Sequence, residues 1–328
     1  MPANVETMAY VGKEPWHGQG TRVPPTISAI EMIRAAGLDW EVVKRPARGY
    51  QPIKKQGKLD KYSRYEIMRM PRGTDLFEEE IMLGMVSERY EPLQNVDAFS
   101  FFDPIIDQKT ATFETAGALG VGERIWVLAK MPDEIAVVPG DYCGKYLLLS
   151  NTHSGQGSVI VKFTAVRVVC QNTLILSLND GQQTFRVRHS RKMSERLAQV
   201  NELILAAHEA YRKAAESFKA LANTPVNDQA MLYDYLETLF PTTPEQKEKK
   251  TKPPKQEEVK YLFETEPNLQ ISGVKGTLWA AYNAVTQFED YRQARGEDGS
   301  KRLDRVWFGR GADLKVKALD EALVIAHR

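Results

Sequence analysis

Four runs decide how this chain folds: Tyr146-Leu147-Leu148-Leu149-Ser150-Asn151, the β-branched stretch Ser158 to Cys170, Gln183-Thr184-Phe185-Arg186-Val187-Arg188, and an apolar seam from Leu197 to Leu221. Between the first two lies Thr152-His153-Ser154-Gly155-Gln156-Gly157, a polar glycine-bearing turn of the kind that joins a hairpin. The seam is Leu197, Val200, Ile204, Ala207, Tyr211, Ala214, Phe218 and Leu221, at spacings that alternate between three and four. That rhythm gives a helix one continuous apolar edge. The order expected is hairpin, third strand, then a long helix starting near Ser194, a β-β-β-α core. The helix edge is read as a packing or assembly surface.

The polar positions of this stretch are mostly basic: Lys162, Arg167, Arg186, Arg188, Arg191, Lys192 and Arg196. They are the candidate DNA-binding residues, set against the plainer reading of a solvated face. Strand geometry sorts them. Arg186 and Arg188 are two apart and share a face, with Phe185 and Val187 on the other. Lys162 and Arg167 are five apart and face opposite sides of a regular strand. The expectation therefore centres on the third strand and the helix entrance.

Upstream, residues 1–25 are irregular and hold Pro15-Trp16-His17-Gly18, either an anchoring Trp or a ligand site. Thr26 is expected to cap a short helix that ends at Gly37. Trp40 to Lys44, Arg64 to Arg69 and Ile81 to Val86 read as an antiparallel meander. Asn95 to Ile106 reads as a helix capped by Asn95. Strands follow at 109–116 and 124–130. Their connector, Gly117-Ala118-Leu119-Gly120-Val121-Gly122, lacks the Lys-Ser/Thr of a phosphate loop and reads as a hairpin turn. The run from Cys170 to Leu178 reads as a short helix or turn.

Downstream, Thr224-Pro225 ends the long helix and a shorter one follows from Asp228. Pro241 to Glu258 mixes prolines, lysines and glutamates and is expected to be an extended linker or loop. The rest is helical, at 277–295 and 312–326. Arg305 and Arg310 flank Trp307-Phe308, a composition suited to stacking on bases or to an interhelical anchor.

Composition narrows the function classes. In 328 residues, 44 Lys and Arg face 43 Asp and Glu, so any polyanion site has to be local. Two cysteines, Cys143 and Cys170, with no Cys-x-x-Cys, exclude a disulfide scaffold and a Cys-based zinc site. No secretory signal and no long apolar span are found, so a soluble, cytoplasmic protein without membrane contact is expected. No nucleophile elbow, zincin motif, Walker loop or dinucleotide fingerprint occurs, and the five histidines are scattered. No enzyme activity, metal or cofactor is expected.

Seven segments resemble, in order, a phage/plasmid-like family of unknown function from bacterial mobile elements. They are Pro15-Trp16-His17-Gly18, Glu114-Thr115-Ala116-Gly117-Ala118-Leu119, Leu148 to His153, Lys162 to Leu174, Arg188-His189-Ser190, Asn283-Ala284-Val285-Thr286, and Trp307-Phe308-Gly309-Arg310-Gly311-Ala312. The resemblance runs nearly the whole chain. It implies a mobile-element setting in a bacterial cytoplasm and carries no catalytic residues with it. The β-β-β-α order is also similar to the core of phage single-strand annealing proteins, which form rings or filaments around a basic groove. That similarity implies a homo-oligomer that binds single-stranded DNA, with Phe163 or Phe185 available to stack. The alternative is a non-enzymatic interaction protein such as a host-defence antagonist, using the helix seam.

The fold expected is α+β, mainly antiparallel sheet with one long packed helix. Its expected divisions are a core at 1–240, the linker at 241–258 and a helical C-terminal region at 259–328.

Overall fold

The computed structural model describes residues 5–12, 19–48, 54–55, 58–59, 64–72, 79–107, 109–167, 169, 173–175, 184–190, 200–293, 305–307 and 309–328. The fold is α+β with mainly antiparallel sheets. The chain forms two compact units that interleave in sequence. The first comprises 1–132, 146–162 and 184–205, and the second 133–145, 163–183 and 206–328. The division therefore does not fall at residue 240. Strands that pass from one unit into the other make a sequence-contiguous split impossible.

In the first unit the strands are β1 (Val5–Val11), β2 (Thr21–Val23), β3 (Val42–Pro46), β4 (Lys54–Lys55), β5 (Lys58–Leu59), β6 (Arg64–Arg69), β7 (Ile81–Ser87) and β8 (Thr112–Leu119). The expected meander is present as the antiparallel sheet β3-β6-β7. The helix α1 (Ala29–Ala35) is capped by Ser28 rather than Thr26, in a capping box with Glu31, and Gly37 follows it at φ +66°. The expected helix at 95–106 is two pieces, α2 (Asn95–Ser100) and α3 (Asp103–Asp107). Asn95 is not the cap. Gln94 holds that position, and the Asn95 amide is turned inward onto the Leu38 carbonyl.

Three longer strands start or end in this unit: β9 (Arg124–Val138), β10 (Asp141–Thr152) and β11 (Val159–Arg167). The β8–β9 connector is a glycine turn but shorter than the 117–122 expected: Gly117 to Leu119 pair within β8, and the turn keeps Gly120 at φ +70° and Gly122 at φ +104°. The third expected strand is β13 (Thr184–Val187), antiparallel to β11 with Val187 opposite Val159 and Arg186 opposite Ile160. A fourth, β12 (Thr173–Ile175), lies where a helix or turn was expected. It pairs with Thr164 to Val166 in the second unit.

The second unit is mostly helical: α4 (Val200–Asn223, from residue 206), α5 (Gln229–Leu239), α6 (Pro244–Glu248), α7 (Pro254–Thr265), α8 (Leu278–Gln287) and α9 (Arg310–Ala326). The described part of the α4 seam is buried at Tyr211, Ala214, Phe218 and Leu221, as its spacing requires. Phe218 packs on Trp279 of α8, and the Tyr211 hydroxyl donates to the Thr164 carbonyl. Residues 241–258 are not an extended linker. Pro244 and Pro254 sit in the first turn of α6 and α7, where proline has no helical hydrogen bond to lose. Gln256 is buried, donating to the Phe240 carbonyl and the Glu237 carboxylate.

Candidate nucleic-acid interface

The site begins with the alternation of β13. Arg186 and Arg188 are exposed while Val187 and His189 between and beyond them are buried. Arg186 on β13 and Arg188 just past its end are therefore both exposed, as their spacing requires. Among the described residues, β11 is the strand that β13 pairs with, and β13 stands off the main path of its sheet.

The inward residue, His189, fixes this segment. Its backbone carbonyl accepts from the Glu91 N–H, and its Nδ1 donates to the Glu91 carbonyl at 3.1 Å. The ring stacks on Tyr90 with centroids 4.4 Å apart. The Tyr90 hydroxyl donates to the Thr152 carbonyl at the end of β10, 3.1 Å away. The Lys44 ammonium holds the same loop by donating to the carbonyls of Glu88 and Tyr90.

A second histidine lies deeper. His153 has no exposed surface and meets Trp40 edge-on at 5.4 Å. Its Nε2 is 3.0 Å from Asn95 Oδ1. The Asn95 Nδ2 donates to Leu38, so its oxygen faces the ring and the His153 proton sits on Nε2. Burial pulls His153 down to about 3, with nearby His189 adding to the effect. Burial also pulls His189 down to about 4, against the opposing hydrogen bond to Glu91. Both rings are neutral at pH 7, so the positive charge of this segment comes from the arginines. Trp40 Nε1, Asn151 Oδ1, His153 Nδ1 and His189 Nε2 are buried without a protein partner. Trp40 Nε1 can only donate, whereas the Asn151 oxygen and the two imidazole nitrogens can accept. Among the described residues no three His, Cys, Asp or Glu side chains gather as a metal site.

Of the seven cations expected to bind DNA, four lie among the described residues, and the structure separates them. Arg186 and Arg188 stand exposed together. Lys162 is buried, 6% exposed, opposite Thr184. Arg167 is fully buried in the second unit. Its Nε and Nη2 each donate to the Asp141 carboxylate at 2.8 Å, and its Nη1 donates to Asn268 Oδ1 at 3.0 Å. Neither Lys162 nor Arg167 presents surface to a phosphate, which corrects that part of the expectation. The physical reason is that β11 is covered on both faces, so alternation does not bring its polar residues to solvent. Phe163 is buried too and packs edge-on against Tyr211, so it has no free face for a base. Arg191, Lys192, Arg196 and the Trp16-His17 pair lie outside the described residues, as does the Phe185 side chain.

At the C-terminal end, Arg305 pairs with the Glu289 carboxylate and donates to the Glu289 carbonyl at 3.0 Å. This supports the anchor reading of that arginine. Burial raises the Glu289 carboxyl above its usual range despite that partner. The sequence reading missed the His153, Asn95 and Asn151 cluster. Alternation reaches only the neighbouring His189, because His153 and Asn95 meet from 58 residues apart in sequence.

No curated protein and no solved structure matches the chain. No described helix is long and apolar enough to cross a membrane. A family model does match, over residues 82–307, which hold all but the first residue of β7, the strands β8 to β13, His153 and His189, and the helices from α2 to α8. The chain belongs to that family, described as a domain of unknown function, DUF932.

Proposed function

We propose that this chain binds single-stranded DNA through the outward face of β13 and acts as an annealing-type recombination protein of a phage or plasmid. The observation that carries the reading is the pair Arg186 and Arg188, both exposed at the end of β13, next to His189, which Tyr90 and Glu91 hold inward. Two exposed guanidinium groups suit a phosphate backbone, and the anchored His189 holds the backbone beside them. In chain order β10, β11, β12, β13 and α4 follow one another, so the short β12 is an addition to the β-β-β-α order of annealing proteins. The protein then works in the bacterial cytoplasm as a homo-oligomer, a ring or filament along the strand.

Fluorescence anisotropy with a labelled oligothymidylate tests this, followed by strand annealing of complementary oligonucleotides. The reading requires binding at low salt that weakens steeply at moderate salt. It also requires accelerated annealing and an assembly larger than a monomer by light scattering. A strict monomer, with and without DNA, counts against the annealing activity.

A further inference from the structure

The segment from Pro241 to Lys252 closes a surface pocket of ≈ 440 Å³ against α5, wholly within the second unit. Its walls carry three ammonium groups, Lys247, Lys250 and Lys252, and two carboxylates, Asp234 and Glu237, with Tyr233 beside them. In sequence, lysines and glutamates alternate here and cancel. The helix separates them, because Gln246, Lys247 and Lys250 line the pocket while Glu245 and Glu248 do not. Glu237 is engaged already. Its carboxylate accepts from the Thr242 N–H at 2.8 Å, from the Thr242 hydroxyl and from Gln256 Nε2 at 2.8 Å.

Lys250 is the informative residue. The end of α6 closes with the Thr251 N–H on the Gln246 carbonyl at 2.9 Å and the Lys250 N–H on the Lys247 carbonyl at 3.2 Å. That is the Schellman arrangement, and it places Lys250 at φ +51°. Glycine is the favoured residue there, since any Cβ is strained in left-handed backbone. This chain keeps a long cationic side chain at a position where backbone energetics favour none. No hydrogen bond or ion pair of the Lys250 ammonium explains it.

We propose that this pocket binds the phosphate group of a nucleotide, with Lys247 and Lys250 as the phosphate contacts and Asp234 accepting from a sugar hydroxyl or base amine. The volume suits a nucleotide-sized ligand. A free nucleotide and the end of a DNA strand share this chemistry. The pocket stands independently of the β13 arginines.

Isothermal titration calorimetry of the full chain with dTMP and with a short oligothymidylate tests it, using Lys250→Gly, Lys247→Gln and the double variant Arg186→Ala with Arg188→Ala. Lys250→Gly is expected to raise the thermal midpoint, because it relieves the backbone, and to weaken dTMP binding by about tenfold. Lys247→Gln is expected to weaken dTMP binding likewise, while the Arg186/Arg188 variant retains it. Loss of affinity for dTMP marks a free nucleotide. Loss confined to the oligonucleotide marks a strand end. The proposal is overturned if the wild type binds neither probe, if Lys250→Gly leaves both affinities unchanged, or if Lys250→Gly lowers the thermal midpoint, which makes the lysine structural.

Discussion

Arg167 and Asp141 form an ion pair with no exposed surface: Nε lies 2.8 Å from Oδ1 and Nη2 lies 2.8 Å from Oδ2. Two further donors reach Asn268, Nη1 to its Oδ1 and Nη2 to its carbonyl. Trp279 Nε1 donates to the same carboxylate at 2.7 Å. Two buried charges persist because each finds its partner and the spare positions are filled.

Removing one partner strands the other. Asp141→Asn leaves an uncompensated guanidinium in the interior, and is expected to destabilise the chain by about 3–5 kcal/mol in urea unfolding. The double variant Asp141→Leu with Arg167→Met removes both charges and recovers most of that loss. A single-variant loss under about 1 kcal/mol contradicts a buried pair.

This pair also marks how far local reading of the sequence reaches. The meander, the glycine turn at 120–122 and the burial of Tyr211, Ala214, Phe218 and Leu221 follow from periodicity within a few residues. The face shared by Arg186 and Arg188 follows in the same way. Arg167 does not, because its partner is 26 residues upstream and its cap 101 residues downstream. Alternation assigns a side but not what covers that side. β12 escaped notice because its pairing with β11 decides its conformation over a weak local preference. In residues 241–258 the mix of prolines, lysines and glutamates suits a solvated chain, yet Pro244 and Pro254 open helices.

Gly84 on β7 supports the β10–β11 turn at very close range. A Cβ added there meets the Ser154 carbonyl oxygen at 2.3 Å. Gly84→Ala is therefore expected to lower stability by about 1–3 kcal/mol, the range for overpacking a fixed contact. Thermal unfolding measures it, and an unchanged midpoint excludes this contact.

The histidine layer makes stability depend on acid. His153 and His189 have folded pKa values of about 3 and about 4, below the free value of 6.5. The unfolded chain takes up protons that the folded chain refuses. Their contribution is fully present above pH 6.5 and is lost as pH falls through that window, by about 1.4 kcal/mol per pH unit for each histidine. Denaturation midpoints at a series of pH values from 7 down to 4 read the slope, and His189→Gln reduces it. A flat profile over that range contradicts neutral, buried rings.

The most direct measurement is the salt dependence of oligothymidylate binding by the wild type and by Arg186→Ala with Arg188→Ala. For single strands, log K falls with log salt by roughly 0.7 for each phosphate contact. The double variant is predicted to bind more weakly, to lose about 1.4 from that slope and to keep its fold by circular dichroism. Equal slopes in the two proteins, or no wild-type binding at low salt, contradict β13 as the DNA-binding face.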